Sequence, residues 1–301
     1  MTTLPDLTSK ILRRQGMTLD YLALLVAGPV ALLPFRTFEG GVDPGCEALT
    51  SDAFRSALRL TLFITLITVP LNTVFGVLAA LVLARHDFRG KRRLSAFIDL
   101  PLGISPVVVG LALLIIYNRR DGWFGAWLAD RGVQMLFNWP GMVLATVFVA
   151  LPFVAREVVP VLRVIGTDQE LAAQTLGTSG WQTFRMVSLP AIRPGIAFGV
   201  VLTTAQALGE YGAVSIASGK LAGKTATLTL HVKERFLAID LTATYASPLV
   251  LAAPALLTLM AMQRLKPREG RSWASRFGIL GNSSPTSSPW TTSRSTSRTA
   301  R

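Results

Sequence analysis

Between Leu60 and Ala84 the chain runs 25 residues without a Lys, Arg, Asp, Glu or His. About 20 mostly apolar residues, coiled as a helix, cross the hydrocarbon core of a bilayer. A run of this length and purity is the sequence of a membrane-spanning helix. Five further stretches follow the same rule: Leu19 to Phe35, Leu100 to Tyr117, Phe137 to Ala155, Gly195 to Ala217 and Leu241 to Met262. The first is the shortest once Asp20 is passed, and the fifth encloses Glu210. The expected fold class is an all-α membrane protein of six transmembrane helices. Its expected organisation is a short cytoplasmic segment over residues 1–18, a transmembrane body over 19–265, and a tail over 266–301.

Composition agrees with this and removes the alternatives. Charged residues are 16% of the chain, against about a quarter in soluble domains, and mean hydropathy is +0.47. Half the residues are hydrophobic, which excludes a disordered chain. The net charge of +13 does not make a nucleic-acid binder, because such binding needs basic residues gathered on one soluble face. A single cysteine, Cys46, excludes an internal disulfide framework and a cysteine zinc site. His86 and His231 are too few and too far apart to suggest a metal centre.

The distribution of positive charge sets the orientation, since cytoplasmic loops carry the excess of Lys and Arg. With the N-terminus inside, 20 of the 30 basic residues fall in inside segments. The compact run from Arg85 to Arg93 is the strongest vote. Both termini are therefore expected in the cytoplasm. Trp123, Trp127 and Trp139 suit the headgroup level, where indole rings favour both phases. The opening residues lack the cleavage site of a secretory signal, so the first apolar run is expected to stay as a span. The tail, dominated by Ser, Thr, Arg and Pro, is expected to be disordered.

One cytoplasmic loop, residues 163–193, is too patterned to be a plain connector. Thr167-Asp-Gln-Glu170 has the spacing of a capping box, and Leu171 to Leu176 then supplies a short helix that Gly177 stops. A second short helix, Trp181 to Val187, is expected to end at Leu189-Pro190. Such a unit presents a knob to another protein, and the small residues Ala172 and Ala173 let a partner approach closely.

The sequence Glu170-Leu-Ala-Ala-Gln-Thr-Leu-Gly177, followed by Leu189-Pro190, resembles the EAA loop of ABC importer permeases. The resemblance implies the type I permease fold and a coupling helix that docks on a separate ATPase subunit, carried by Asp168, Glu170, Leu171, Ala172, Ala173, Gly177, Leu189 and Pro190. Alignment on Gly177 puts Leu171 where that family usually has glutamate. Glu170 then either takes over the missing contact or only caps the helix. Two more segments are similar to the sulfate and thiosulfate permeases, W-type subunit, with molybdate permeases as neighbours. They are Asp99-Leu-Pro-Leu-Gly-Ile-Ser-Pro106 and Ala207-Leu-Gly-Glu-Tyr-Gly-Ala213.

That likeness implies an oxyanion importer subunit in the inner membrane of a bacterium. It implies no cofactor and no enzymatic activity in this chain itself, with ATP and Mg on two partner ATPase subunits. It also implies a second permease subunit and an external sulfate-binding protein, and no nucleic acid. Cargo remains open between sulfate or thiosulfate, molybdate or tungstate, and another oxyanion. A channel or membrane-embedded enzyme is the alternative of another class, though no cluster of ionisable residues at one depth supports an enzyme.

Ser105, Pro106, Gly209, Glu210, Tyr211 and Gly212 are the candidates for a pathway or gate. Pro101, Gly103 and Pro106 are expected to break the start of the third span, either to free amides for an anion or as a packing kink. A carboxylate facing lipid costs about 2.5–3.5 kcal/mol or more, so Glu210 must face protein or water, as a gate element or a structural tie. Gly219-Lys-Leu-Ala-Gly-Lys-Thr225 falls one residue short of a phosphate-binding loop. Its lysines, with Lys233 and Arg235, belong to an outer loop that docks a binding protein, raises the local anion concentration, or is plainly solvated.

Overall fold

The computed structural model describes Leu25, Gly28 and residues 31–39, 42–219 and 224–265. Most of the first apolar run, the N-terminal segment and the tail lie outside the described residues. The described residues contain helices and no strand.

A helical stretch at 31–38 leads into α1 (Val42–Thr50) and the long α2 (Asp52–Arg85). The order continues with α3 (Lys91–Gly103), α4 (Pro106–Tyr117), α5 (Gly125–Ala129), α6 (Trp139–Ile165) and α7 (Asp168–Thr175). Then come α8 (Gly180–Thr183), a π-helical turn at Phe184–Ser188, α9 (Leu189–Gly209), α10 (Gly212–Ala217), α11 (Leu228–Leu237) and α12 (Leu241–Leu265). Among the described residues, α2, α6 and the continuous Gly180–Gly209 element are each long and apolar enough to cross a membrane. The pair α3 and α4 makes a fourth, broken one, bent by 108°.

The helix starting near Leu60 is longer than its apolar run. Ser51 caps it, accepting from the Phe54 amide, and its first turns are amphipathic. Similarly α6 continues ten residues past Ala155 through Arg156, Glu157 and Arg163, because charge does not end a helix where it leaves the hydrocarbon. Pro70, Pro152, Pro160 and Pro194 sit inside these helices, as neighbouring helices in a membrane bundle allow.

The centre of the bundle is α6. Its most apolar stretch is 61% buried, against 33% for α2 and 28% for the Gly180–Gly209 element. Lipid is as apolar as leucine, so helices in a membrane are held by close packing, which small residues permit. Val154 of α6 is pinched between Gly76 of α2 and Gly199 of α9. A Cβ at Gly76 would lie 2.5 Å from the Val154 Cβ, and one at Gly199 2.8 Å from its Cα. Around this point Val77, Ala80, Val158, Leu162 and Ile192 are buried together. A second close approach joins α4 to α10, where a Cβ on Gly110 would meet the Ala213 carbonyl at 2.8 Å.

Two expectations are corrected here. The fifth span does not begin at Gly195 or run unbroken to Ala217: the helix enters from Gly180, stops at Gly209, and resumes at Gly212. The second loop helix does not end at Leu189-Pro190. Its π-helical turn runs straight into α9, and Pro190, the second residue of α9, lies inside the continuous run, where its missing amide goes with the local departure from α-helical bonding.

Candidate functional site

The loop expected to face a partner folds as α7, a tight turn, and the start of the Gly180–Gly209 element. Gly177 takes φ = +85°, a left-handed conformation in which glycine bears no Cβ penalty. Its amide donates to the Gln174 carbonyl at 2.9 Å and that of Thr178 to the Ala173 carbonyl at 3.3 Å. This is the paired closure of a Schellman turn. Two residues after Gly177, Ser179 and Gln182 cap each other reciprocally: the Ser179 Oγ accepts from the Gln182 amide, and the Gln182 side chain accepts from the Ser179 amide.

The capping box expected at Thr167 and Glu170 is absent. Thr167 sits at the start of α7 but makes no side-chain cap bond. Glu170 instead turns back into the bundle. Its Oε1 accepts from Arg85 Nη2 at 2.9 Å, from Arg85 Nε at 3.2 Å and from Ser188 Oγ at 2.7 Å. The Nη1 of Arg85 donates to the Leu162 carbonyl at 2.9 Å, one of the final α6 carbonyls left without a helical partner. Side-chain exposure is 11% for Arg85 and 17% for Glu170. One guanidinium therefore ties the ends of α2 and α6 to α7, and through Ser188 to the π-helical turn.

With Glu170 turned inward, the segment exposes four large apolar side chains among the polar Gln169, Gln174, Gln182 and Arg185. Leu171, Leu176, Trp181 and Met186 are 55%, 86%, 68% and 70% exposed. Ala172 is exposed beside them, while Ala173 and Leu189 are half-buried and Asp168 and Pro190 exposed. Leucine at position 171 thus adds to the exposed apolar surface of the segment.

The second group of candidates is also brought together. The break between α3 and α4 at Ile104–Ser105 abuts the break between α9 and α10 at Glu210–Tyr211: a Cβ on Gly212 would lie 2.8 Å from the Pro106 Cβ. Ser105 is exposed and its side chain makes no cap bond. Gly209 ends α9 with open space beside it. Glu210 is 4% exposed. Its Oε1 accepts from the Ala213 amide and its Oε2 from Gln206 Nε2, both at 3.0 Å, so the carboxylate bridges the end of α9 to the start of α10.

A third element closes on this break. From α11, Thr229 Oγ1 donates to the Glu210 carbonyl at 3.0 Å and Lys233 Nζ to Tyr211 Oη at 2.6 Å. The Leu228 amide donates to Thr61 Oγ1 of α2. Lys233 is thus attached to the break, and Lys220 lies outside the described residues. Sequence inspection missed Arg85, Ser188, Thr229 and the Lys233–Tyr211 bond. Only Arg85 gave a signal, being the first charge after the apolar run.

His231 of α11 is 3% exposed, lies edge-on to Phe54, and its Nε2 has no hydrogen-bond partner among the described residues. Burial, then the nearby Arg235, hold it below its ordinary value of 6.5, with Asp240 opposing. The imidazole is neutral when folded and takes a proton on unfolding at low pH. Stability from this group is therefore complete above pH 6.5 and declines as pH falls through the folded value. The thermal midpoint of the purified protein is expected to drop between pH 7 and 5. In His231→Phe that part of the pH dependence is expected to vanish; an unchanged slope would put its origin elsewhere.

Residues 72–269 match the family described as binding-protein-dependent transport system inner membrane component. The chain belongs to that family. It is thus an inner-membrane permease component, and curated relatives narrow the comparison. The chain is 47% identical to the sulfate transport system permease protein CysW of Synechococcus elongatus, over 85% of this chain and 89% of that one. It is 42% identical to the protein of the same name in Escherichia coli K12, over 86% of each. Identity to the E. coli sulfate transport system permease protein CysT is 34%, over 85% of this chain and 92% of the other. Among solved structures, a bacterial ABC transporter that imports the acidic polysaccharide alginate matches with TM-score 0.72 at 18% identity. It covers 88% of this chain and 99% of its own, and the same fold recurs in the alginate transporter bound to its periplasmic protein. These permeases share the helical fold described above.

Proposed function

We propose that this chain is a membrane subunit of an ATP-binding-cassette importer for sulfate. The observation that carries this is its near full-length similarity to the CysW proteins, set on a fold with a paired-helix segment facing outward at one end. In this proposal the chain has six spans with both termini cytoplasmic. It pairs with a second permease of similar fold, as the CysW and CysT names suggest. Two ATPase subunits carry ATP and Mg, and an external protein delivers the anion.

The segment from Thr167 to Pro190 is then the coupling element, and the exposed apolar surface of Leu171, Leu176, Trp181 and Met186 is what it inserts into an ATPase groove. Closure of the ATPases on ATP favours one permease conformation over the other, which is what a ligand-driven shift requires. Movement of the segment passes through the Glu170–Arg85 tie to α2 and α6, and along α9 to the break at Glu210. That break, packed on Pro106 and held by α11, is the proposed gate. The carboxylate of Glu210 is engaged by protein donors, so it shapes the break and does not hold the anion. Freed backbone near Ser105 is the better anion donor.

Sulfate uptake into cells lacking their own importer, with this chain expressed beside its partner subunits, tests the function. Uptake that needs this chain and is competed by thiosulfate supports the proposal. An assembled complex that moves molybdate and not sulfate would reassign the cargo. A substitution tests the segment: at Gly177 a side chain meets nothing within 4 Å inside the chain, so Gly177→Val costs only the left-handed strain of about 1–2 kcal/mol. The variant is expected to insert normally yet uncouple ATP hydrolysis from uptake, and Gly177→Asn, which tolerates this φ, to be milder. Equal loss in both would indicate that the partner cannot accommodate any side chain there.

A further inference from the structure

At the end of the bundle that carries Arg85, a cavity of about 180 Å³ opens between α3 and α6, apart from the coupling segment and the break. Its polar lining is Ser95, Asp99, Arg156 and Arg163, and Ile98 and Val159 form part of its apolar wall. Arg156 Nε donates to Asp99 Oδ1 at 2.8 Å, which fixes the guanidinium across the mouth. Its terminal amino groups make no hydrogen bond to a described residue, and Arg163 has no ion-pair partner among them. Two guanidiniums face one carboxylate, which leaves the pocket one positive charge in excess.

Depth decides what such a pocket meets. From Trp139 to Ala155 α6 carries no charge, about 25 Å of helix. Arg156 therefore stands where hydrocarbon gives way to headgroups, and Arg163 two turns, about 10 Å, further out. Val159 and Pro160 lie between the two arginines along α6, so the pocket sets apolar surface directly beside its unpaired cation. Basic pockets between membrane helices on the cytoplasmic side match acidic lipid head groups in this way.

We propose that this pocket binds the phosphodiester headgroup of an anionic phospholipid, with Arg163 and the free edge of Arg156 on the phosphate and an acyl chain along Ile98 and Val159. The assignment to the inner leaflet rests on the orientation in the proposed function. The bound lipid braces α3 against α6 beside Leu83 of α2, and so stiffens the end of the bundle next to the Arg85 tie.

The test is retention of dioleoylphosphatidylglycerol against dioleoylphosphatidylcholine by the delipidated complex in detergent, read by native mass spectrometry. Preference for the anionic lipid is expected. Arg163→Gln, at an exposed site without an internal partner, is expected to weaken retention about fivefold, since one cation near the surface contributes roughly 1 kcal/mol. Arg156→Lys is expected to weaken it too, at constant charge, through loss of the fixed fork. Retention unchanged in Arg163→Gln would overturn the proposal, as would equal binding of the two lipids. Displacement of the lipid by glycerol phosphate or sulfate at equal concentration would show a free-anion site, and pocket protection only by the second permease would show a subunit contact; both overturn it. Labelling of Arg163→Cys in a Cys46→Ser background, from one side of intact cells, checks the leaflet separately, so an error in orientation is distinguishable from a failure of lipid binding.

Discussion

Arg85→Ala is expected to destabilise the protein by about 3 kcal/mol and abolish coupled uptake. Removing one partner of a buried pair leaves the other charge without compensation, which costs about 3–5 kcal/mol. The residual exposure of 11% and 17% puts this pair at the lower end. Four hydrogen bonds are affected, because the same guanidinium also holds the Leu162 carbonyl and orients the carboxylate for Ser188. Glu170→Gln retains an acceptor for Arg85 and Ser188 and is expected to lose about 1–2 kcal/mol. Thermal unfolding of the purified complex measures the first effect, and the ratio of ATP hydrolysed to anion imported measures the second. If Arg85→Ala unfolds at the wild-type temperature with coupling intact, the tie has no mechanical role.

Gly199→Leu is expected to prevent a stable bundle from forming. The Cβ alone would stand 2.8 Å from the Val154 Cα, a backbone atom that no rotamer can move. Even Gly199→Ala must push α9 away from α6, an overpacking cost of about 1–3 kcal/mol, and leucine adds three carbons to the same space. Gly103→Ala provides the control, since a Cβ there meets nothing within 4 Å, and its expected effect is small. The amount of folded chain recovered from membranes, with its thermal midpoint, distinguishes the three. A Gly199→Leu protein with normal yield would mean that α6 and α9 do not approach this closely.

Hydropathy located the helices and misplaced their ends, for reasons visible residue by residue. It found α2 and α6 from their uncharged runs, but not the amphipathic start at Asp52 or the charged extension to Ile165, because helices outlast the membrane they cross. It read Gly195 to Ala217 as one span because the apolar count hardly changes at Glu210, whereas the backbone breaks there. The broken entry to the third span was legible from Pro101, Gly103 and Pro106, although Pro101 itself stays inside α3.

In the segment from Thr167 to Pro190 the stop at Gly177 was legible, being a local property of one residue. The fate of Glu170 was not. The spacing from Thr167 fits a cap, and the actual partner, Arg85, is 85 residues away in sequence. Local pattern cannot rank an amide three residues off against a guanidinium that only the packed bundle delivers. The cap sits one motif later, at Ser179 and Gln182.

The π-helical turn at Phe184–Ser188 joins α8 to α9 without a gap in the helical run. The Gly180–Gly209 element is therefore a 30-residue rod, about 45 Å long, with Trp181 at one tip and Glu210 just beyond the other. Pinched at Gly199 against Val154, it has a fulcrum about two-thirds of the way along, some 15 Å from the Glu210 tip. Were the element to tilt as one body about Gly199, a lateral stroke at Trp181 would emerge at Glu210 reversed in direction and about half as large. Such gearing would exchange distance for force, suiting a small, firm displacement at the break proposed as the gate.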